Sequence, residues 1–137
     1  MARTICKILG VVFVLVGLLG YAAPDLMGMH LSGMHNIIHL ISGVLALYFG
    51  FAASLSAART FSIIFGIIYL LLGILGFASP NTVAALIQAH QAPGAMGSMT
   101  PDNVVHIVLG IIFLAGALAR APHTTHIPTE GGHAAHP

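Results

Sequence analysis

Two stretches decide the fold: GVVFVLVGLLGYAAP, from Gly10 to Pro24, and GIIYLLLGILGFASP, from Gly66 to Pro80. Gly10, Gly17, Gly20 and Pro24 are answered by Gly66, Gly73, Gly76 and Pro80 at a constant offset of 56. A second pair follows, HNIIHLISG (35–43) and DNVVHIVLG (102–110), in which Asn36, His39 and Gly43 match Asn103, His106 and Gly110 at an offset of 67. The change of offset marks an insertion in the second loop. Internal repeats of this kind define the structural unit before any single motif does. Here the unit is a helical hairpin, and it occurs twice.

Composition gives the medium. Of 137 residues, 58% are hydrophobic and 5% charged, whereas soluble domains carry roughly a quarter charged residues. The mean hydropathy is +1.00. A bilayer crossing needs about 20 mostly apolar residues, and four stretches meet that length, near 5–23, 36–54, 60–78 and 103–120. The fold class expected is an all-α membrane protein of one domain, residues 1–120. Its two hairpins run in the same sense and form a four-helix bundle with pseudo-twofold symmetry about an axis along the membrane normal. Residues 121–137 read as a disordered cytoplasmic tail.

Charge placement orients the bundle. Arg3 and Lys7 precede the first span, Arg59 lies between the second and third, and Arg120 ends the fourth. With four spans all these cations fall on one side, which the positive-inside rule makes cytoplasmic. Asp25 and Asp102 then lie outside and both termini inside. The first span also has the basic start and small-residue end of a secretory signal. Its likeness to a mid-chain segment instead points to a retained span. The net charge of +1 provides no basic field for nucleic acid, so the partners expected are the lipid bilayer and, within it, another protein or a second copy.

The paired glycines suit close helix packing, and Pro24 and Pro80 stop the odd spans. NTVAALIQAH in the second loop suits a short interfacial helix, and Asp102 or Asn103 suits the N-cap of the last span.

His39 and His106 are expected about one turn inside the outer ends of spans two and four. Ionisable residues within spans are costly and mark functional candidates. Asn36 and Asn103 share their helix faces, and His35 lies one turn before His39. Three roles are open. The histidines hydrogen-bond across helices and fix the bundle; or His35, His39 and His106 hold a transition ion through imidazole nitrogens; or His39 and His106 are the axial ligands of a haem. Met27, Met29, Met34, Met96 and Met99 cluster in the external loops near His30, His35 and His90. Thioethers beside imidazoles suit copper, Cu(I) above all, although methionine also fills irregular apolar gaps. His123, His126, His133 and His136 in the tail suit weak metal binding or simple solvation.

Catalytic patterns are missing from the sequence. The acidic residues are Asp25, Asp102 and Glu130, there is no nucleophile elbow or phosphate loop, and Cys6 stands alone. A structural or accessory membrane component is expected, not an enzyme, with a copper-type or haem-binding membrane protein as the alternative.

HNIIHLISGVLAL in span two, ARTFSIIFGIIYLLLGILGF leading into span three and DNVVHIVLGIIFL in span four resemble a family of small bacterial four-span membrane proteins catalogued as a domain of unknown function. The resemblance covers residues 8 to 120. It implies the four-span fold and a bacterial inner membrane, and it points to Asn36, His39, Asn103 and His106 without assigning them a role. The methionine-rich first loop and the tail lie outside it.

Overall fold

The computed structural model describes residues 1–25, 31–86 and 99–119. All regular structure among them is helical: α1 (Ala2–Ala22), α2 (Gly33–Phe51), α3 (Leu55–Ala78), α4 (Pro80–Leu86) and α5 (Met99–Leu118). Four of these, all but α4, are long and apolar enough to cross a membrane. Helices suit that medium because each satisfies its backbone polar groups internally.

Each long helix begins earlier than hydropathy places it, for a local reason in two cases. Ser32 lies before the second apolar run and Ser54 at its far end, yet they N-cap α2 and α3, their hydroxyls accepting from the backbone N–H of His35 at 3.2 Å and Ala57 at 3.1 Å. The cap expected at Asp102 or Asn103 is corrected: α5 begins at Met99, and Asp102 sits in its first turn. There the carboxylate still meets the positive end of the helix dipole. The short helix expected after Pro80 is α4.

The α1/α2 and α3/α5 pairs pack as two hairpins, and matched glycines set their approach. A Cβ on Gly43 would meet the Gly10 carbonyl oxygen at 2.9 Å, and one on Gly110 would meet that of Gly66 at 2.8 Å. Backbone therefore lies on backbone in both hairpins, the contact that small residues permit in membranes. The other glycine contacts repeat in kind. Gly10 faces Leu47 as Gly66 faces Leu114, and Gly17 faces the Asn36 carbonyl as Gly73 faces that of Asn103.

The stripes that α1 and α3 bury also match. Ala2, Cys6, Gly10, Phe13, Gly17 and Gly20 are buried on α1, and Ala58, Ser62, Gly66, Tyr69, Gly73 and Gly76 on α3. Several of these equivalent residues meet each other. Cys6 Sγ lies 3.3 Å from Ser62 Oγ, and the Phe13 and Tyr69 rings stack at 5.2 Å. Phe61 and Phe113 complete the apolar core between the hairpins. On the outside the pattern inverts: Leu15, Val44, Ile64 and Ile111 are each about half exposed or more, a surface suited to lipid and not to water.

Charge segregates by end. The Arg3 guanidinium donates to the carbonyls of Gly50 at 3.1 Å and Phe51 at 2.6 Å, closing the C-terminus of α2. Lys7 Nζ lies 4.5 Å from the centre of the Phe51 ring. Arg59, at the start of α3, shares this end, while Asp102 occupies the opposite one. Arg120, the methionines at 27, 29 and 96, His30, His90 and the tail histidines lie outside the described residues.

Candidate functional site

The first turns of α2 and α5 bring six polar residues into the end of the bundle away from Arg3. The Ser32 cap starts α2 early enough to place His35, Asn36 and His39 on its inner face, at 2%, 1% and 6% exposure. The early start of α5 does the same for Asp102, Asn103 and His106, at 7%, 2% and 7%. All six sites named by the sequence, counting Asp102 as the counterpart of His35, are therefore buried in one region.

The two asparagines seat against glycine. The Asn36 side-chain oxygen faces Gly20 and that of Asn103 faces Gly76, each so close that a Cβ would collide with it. Neither oxygen has a conventional hydrogen-bond donor. Their neighbours are Cα–H groups, whose weak C–H···O contacts recur where helices approach closely. The Asn36 amide donates to the Leu31 carbonyl at 3.4 Å, tying α2 to the chain that leads into it.

The aromatic rings form a closed circuit. His35 stacks on His39 at 4.5 Å, His39 on Phe13 at 5.6 Å, Phe13 on Tyr69 at 5.2 Å, Tyr69 on His106 at 5.4 Å and His106 on His35 at 6.0 Å. All four long helices contribute to it. Tyr69 also lies against the Ser42 side chain of α2. Sequence reading missed Tyr69 and Ser42 because each looks like an ordinary residue of an apolar span. The one available signal was that Tyr69 answers Phe13 in the repeat.

The ligand geometry differs from the sequence expectation in one respect. His35, Asp102 and His106 bring three donor atoms within 4.8 Å of one another. His39 stands beside this trio, its Nδ1 buried without a hydrogen-bond partner. His106 Nδ1 lies 2.8 Å from the backbone oxygen of Asp102 and 3.6 Å from the Asp102 carboxylate. A carbonyl only accepts, so that short bond puts the proton on Nδ1 and leaves Nε2 with a free lone pair in the neutral ring.

A cavity of about 80 Å³ adjoins His39, Asp102 and His106, closed by Phe13, Leu31 and Leu109 among others. Its wall is almost wholly apolar, the character of cavities that stay dry. The copper reading drew on methionines: Met34 is partly exposed, at 37%, Met27, Met29 and Met96 fall outside the described residues, and no sulfur belongs to the trio.

Residues 3–119 match the model of a family described as a domain of unknown function, DUF4383. No curated protein and no solved structure matches the chain.

Proposed function

The chain belongs to this family of unknown function, and from that premise we propose that it is a multi-pass structural or accessory membrane component, not an enzyme, whose two hairpins are locked together by the buried polar centre at one end. The observation that carries the reading is the ring circuit, which takes residues from all four long helices and joins His35 and His39 of one hairpin to Tyr69 and His106 of the other. Between membrane helices there is little hydrophobic drive, since lipid is as apolar as leucine. Association rests on packing and polar contacts, so a shared buried centre adds to the apolar core between the two hairpins.

A His39→Leu, His106→Leu double variant tests this. Interhelical polar contacts in membranes are worth about 0.6 kcal/mol each on average, and stacking adds about 0.5–1.5 kcal/mol per ring pair. The expected loss is about 2 kcal/mol, read as a melting temperature in detergent lower by several degrees with helicity unchanged. Melting at or above the wild-type temperature would show that the centre does not hold the bundle.

The same proposal includes topology and symmetry. Contacts between equivalent residues, Cys6 with Ser62 and Phe13 with Tyr69, support two hairpins related by an axis along the membrane normal, as symmetry-related contacts do at a twofold axis. The cations Arg3, Lys7 and Arg59 support a cytoplasmic face at their end, in a bacterial inner membrane. Cys6 is fully buried, which gives a silent background for labelling. A cysteine at Thr82 is expected to react with an impermeant maleimide on intact spheroplasts, and one at Ser56 only after lysis. The reverse pattern would invert the topology.

A further inference from the structure

We propose that His35, Asp102 and His106 form a binding site for one divalent first-row transition-metal ion, bridging the two hairpins. The proposal rests on the structural reading above, since it supplies the tie that joins α2 to α5.

Distance admits it. The three donor atoms lie within 4.8 Å of one another. Donors bonded at about 2.0–2.2 Å to one ion stand at most about 4.4 Å apart, so side-chain rotations of under an ångström close the set. Two of the three residues come from one hairpin and one from the other, and Asp102 and His106, one helical turn apart, present their side chains on one face.

Charge calls for it. Asp102 is 7% exposed at the end of a membrane-spanning helix, where an ionised carboxylate is costly unless it is paired or coordinates a metal. The partner that the structure gives it is a histidine ring, 3.6 Å away. A dication bound by one carboxylate and two neutral imidazoles neutralises the carboxylate and leaves a single net charge, spread over three ligands.

Orientation is already set. A metal-bound histidine usually donates its other ring N–H to a carbonyl or carboxylate, which fixes the tautomer and the ring plane. His106 makes that bond to the Asp102 carbonyl at 2.8 Å, which fixes the tautomer and leaves Nε2 as the ring's ligating atom.

The donor set selects the ion. Two imidazoles exclude magnesium and calcium, which take oxygen ligands, and the lack of sulfur in the trio disfavours Cu(I). Imidazole with carboxylate suits zinc, cobalt, iron or Cu(II). The repeat supplies a separate argument. His35 and Asp102 occupy the same position in the two copies of the hairpin, yet one copy carries a neutral donor and the other an anionic one. Packing alone gives no reason for that split, whereas a mixed ligand set does.

The test uses the full-length chain, purified in detergent without a histidine tag and stripped with chelator. Its tail histidines, His123, His126, His133 and His136, are replaced by alanine in a parallel background. Cobalt(II) is titrated and followed by its visible absorption, then displaced by zinc. One cobalt per chain is expected in the tail-substituted background, with affinity at least tenfold weaker in Asp102→Asn, His106→Gln and His35→Gln. His39→Gln is expected to stay within about threefold of wild type. Binding that disappears with the tail histidines, or that survives Asp102→Asn and His35→Gln undiminished, would overturn the site. Metal-free melting of the same variants separates the two proposals. Lowered melting in chains whose parent binds no cobalt removes the metal site and leaves the structural reading. Unchanged metal-free melting, with or without cobalt binding, removes the structural one.

Discussion

Replacing Gly20 or Gly76 by alanine is expected to cost about 2 kcal/mol each and about 4 kcal/mol together, although alanine is the better helix former by about 1 kcal/mol. The added methyl group enters the space held by the Asn36 or Asn103 amide. For Gly20 the ideal Cβ lies 2.7 Å from the Asn36 Cγ and 2.9 Å from its Nδ2, and for Gly76 it lies 2.8 Å from the Asn103 Nδ2, with the amide oxygen nearer still in both. Asparagine is too short to bend away. Asn36 is 1% exposed, so turning the amide breaks its bond to the Leu31 carbonyl and leaves a buried polar group unsatisfied. That costs about 1–3 kcal/mol, on top of about 1–3 kcal/mol for overpacking. The two sites share no partner, so their effects should add.

A double-mutant cycle identifies the obstacle. If the amide is what the methyl meets, Gly20→Ala in an Asn36→Ala background should cost almost nothing, and the double variant should melt above Gly20→Ala alone. A double variant no more stable than Gly20→Ala would place the conflict elsewhere, in the backbone approach of α1 to α2. Thermal unfolding by circular dichroism in one detergent suffices for all four chains.

These contacts show which parts of the molecule the sequence discloses. The hairpin repeat was legible because Gly20 and Gly76 stand at the same offset as their neighbours, and the same glycines prove to seat the repeated asparagines. Helix starts were less legible, because Ser32 and Ser54 act through one side-chain hydrogen bond each and leave no trace in hydropathy. The polar centre was legible at Asn36, His39, Asn103 and His106. Asp102 looked like a cap, because a carboxylate at a helix start usually is one. It enters the centre because α5 begins three residues before it, turning its side chain inward beside His106. Tyr69 was hidden for another reason. In a span that is apolar on all sides, no period separates the residue facing a partner from the one facing lipid.

That last ambiguity has a measurable consequence on α1. Phe13 is 1% exposed and Leu15 is 52% exposed, so their truncations should differ sharply despite similar hydropathy. In water, deleting a buried phenylalanine loses both transfer energy and packing. In a bilayer the separated helices keep their side chains in lipid, so the transfer part largely cancels and packing remains. Removing the Phe13 ring opens a void of about 100 Å³, worth about 2.4 kcal/mol at about 24 cal/mol per Å³. It also ends the stacks with His39, Tyr69 and Phe113 at 5.6, 5.2 and 6.1 Å, for which a further 0.5–1 kcal/mol in all is a low figure. Phe13→Ala is therefore expected to cost about 3 kcal/mol, Phe13→Leu about 1 kcal/mol since it refills most of the volume, and Leu15→Ala less than about 0.5 kcal/mol. Because Phe13 is, with Tyr69, one of the two rings through which the polar centre meets the apolar core, its loss should also loosen the hold between hairpins, seen as faster proteolysis between α2 and α3. Equal effects of Phe13→Ala and Leu15→Ala on melting would mean that α1 does not present this face to its neighbours.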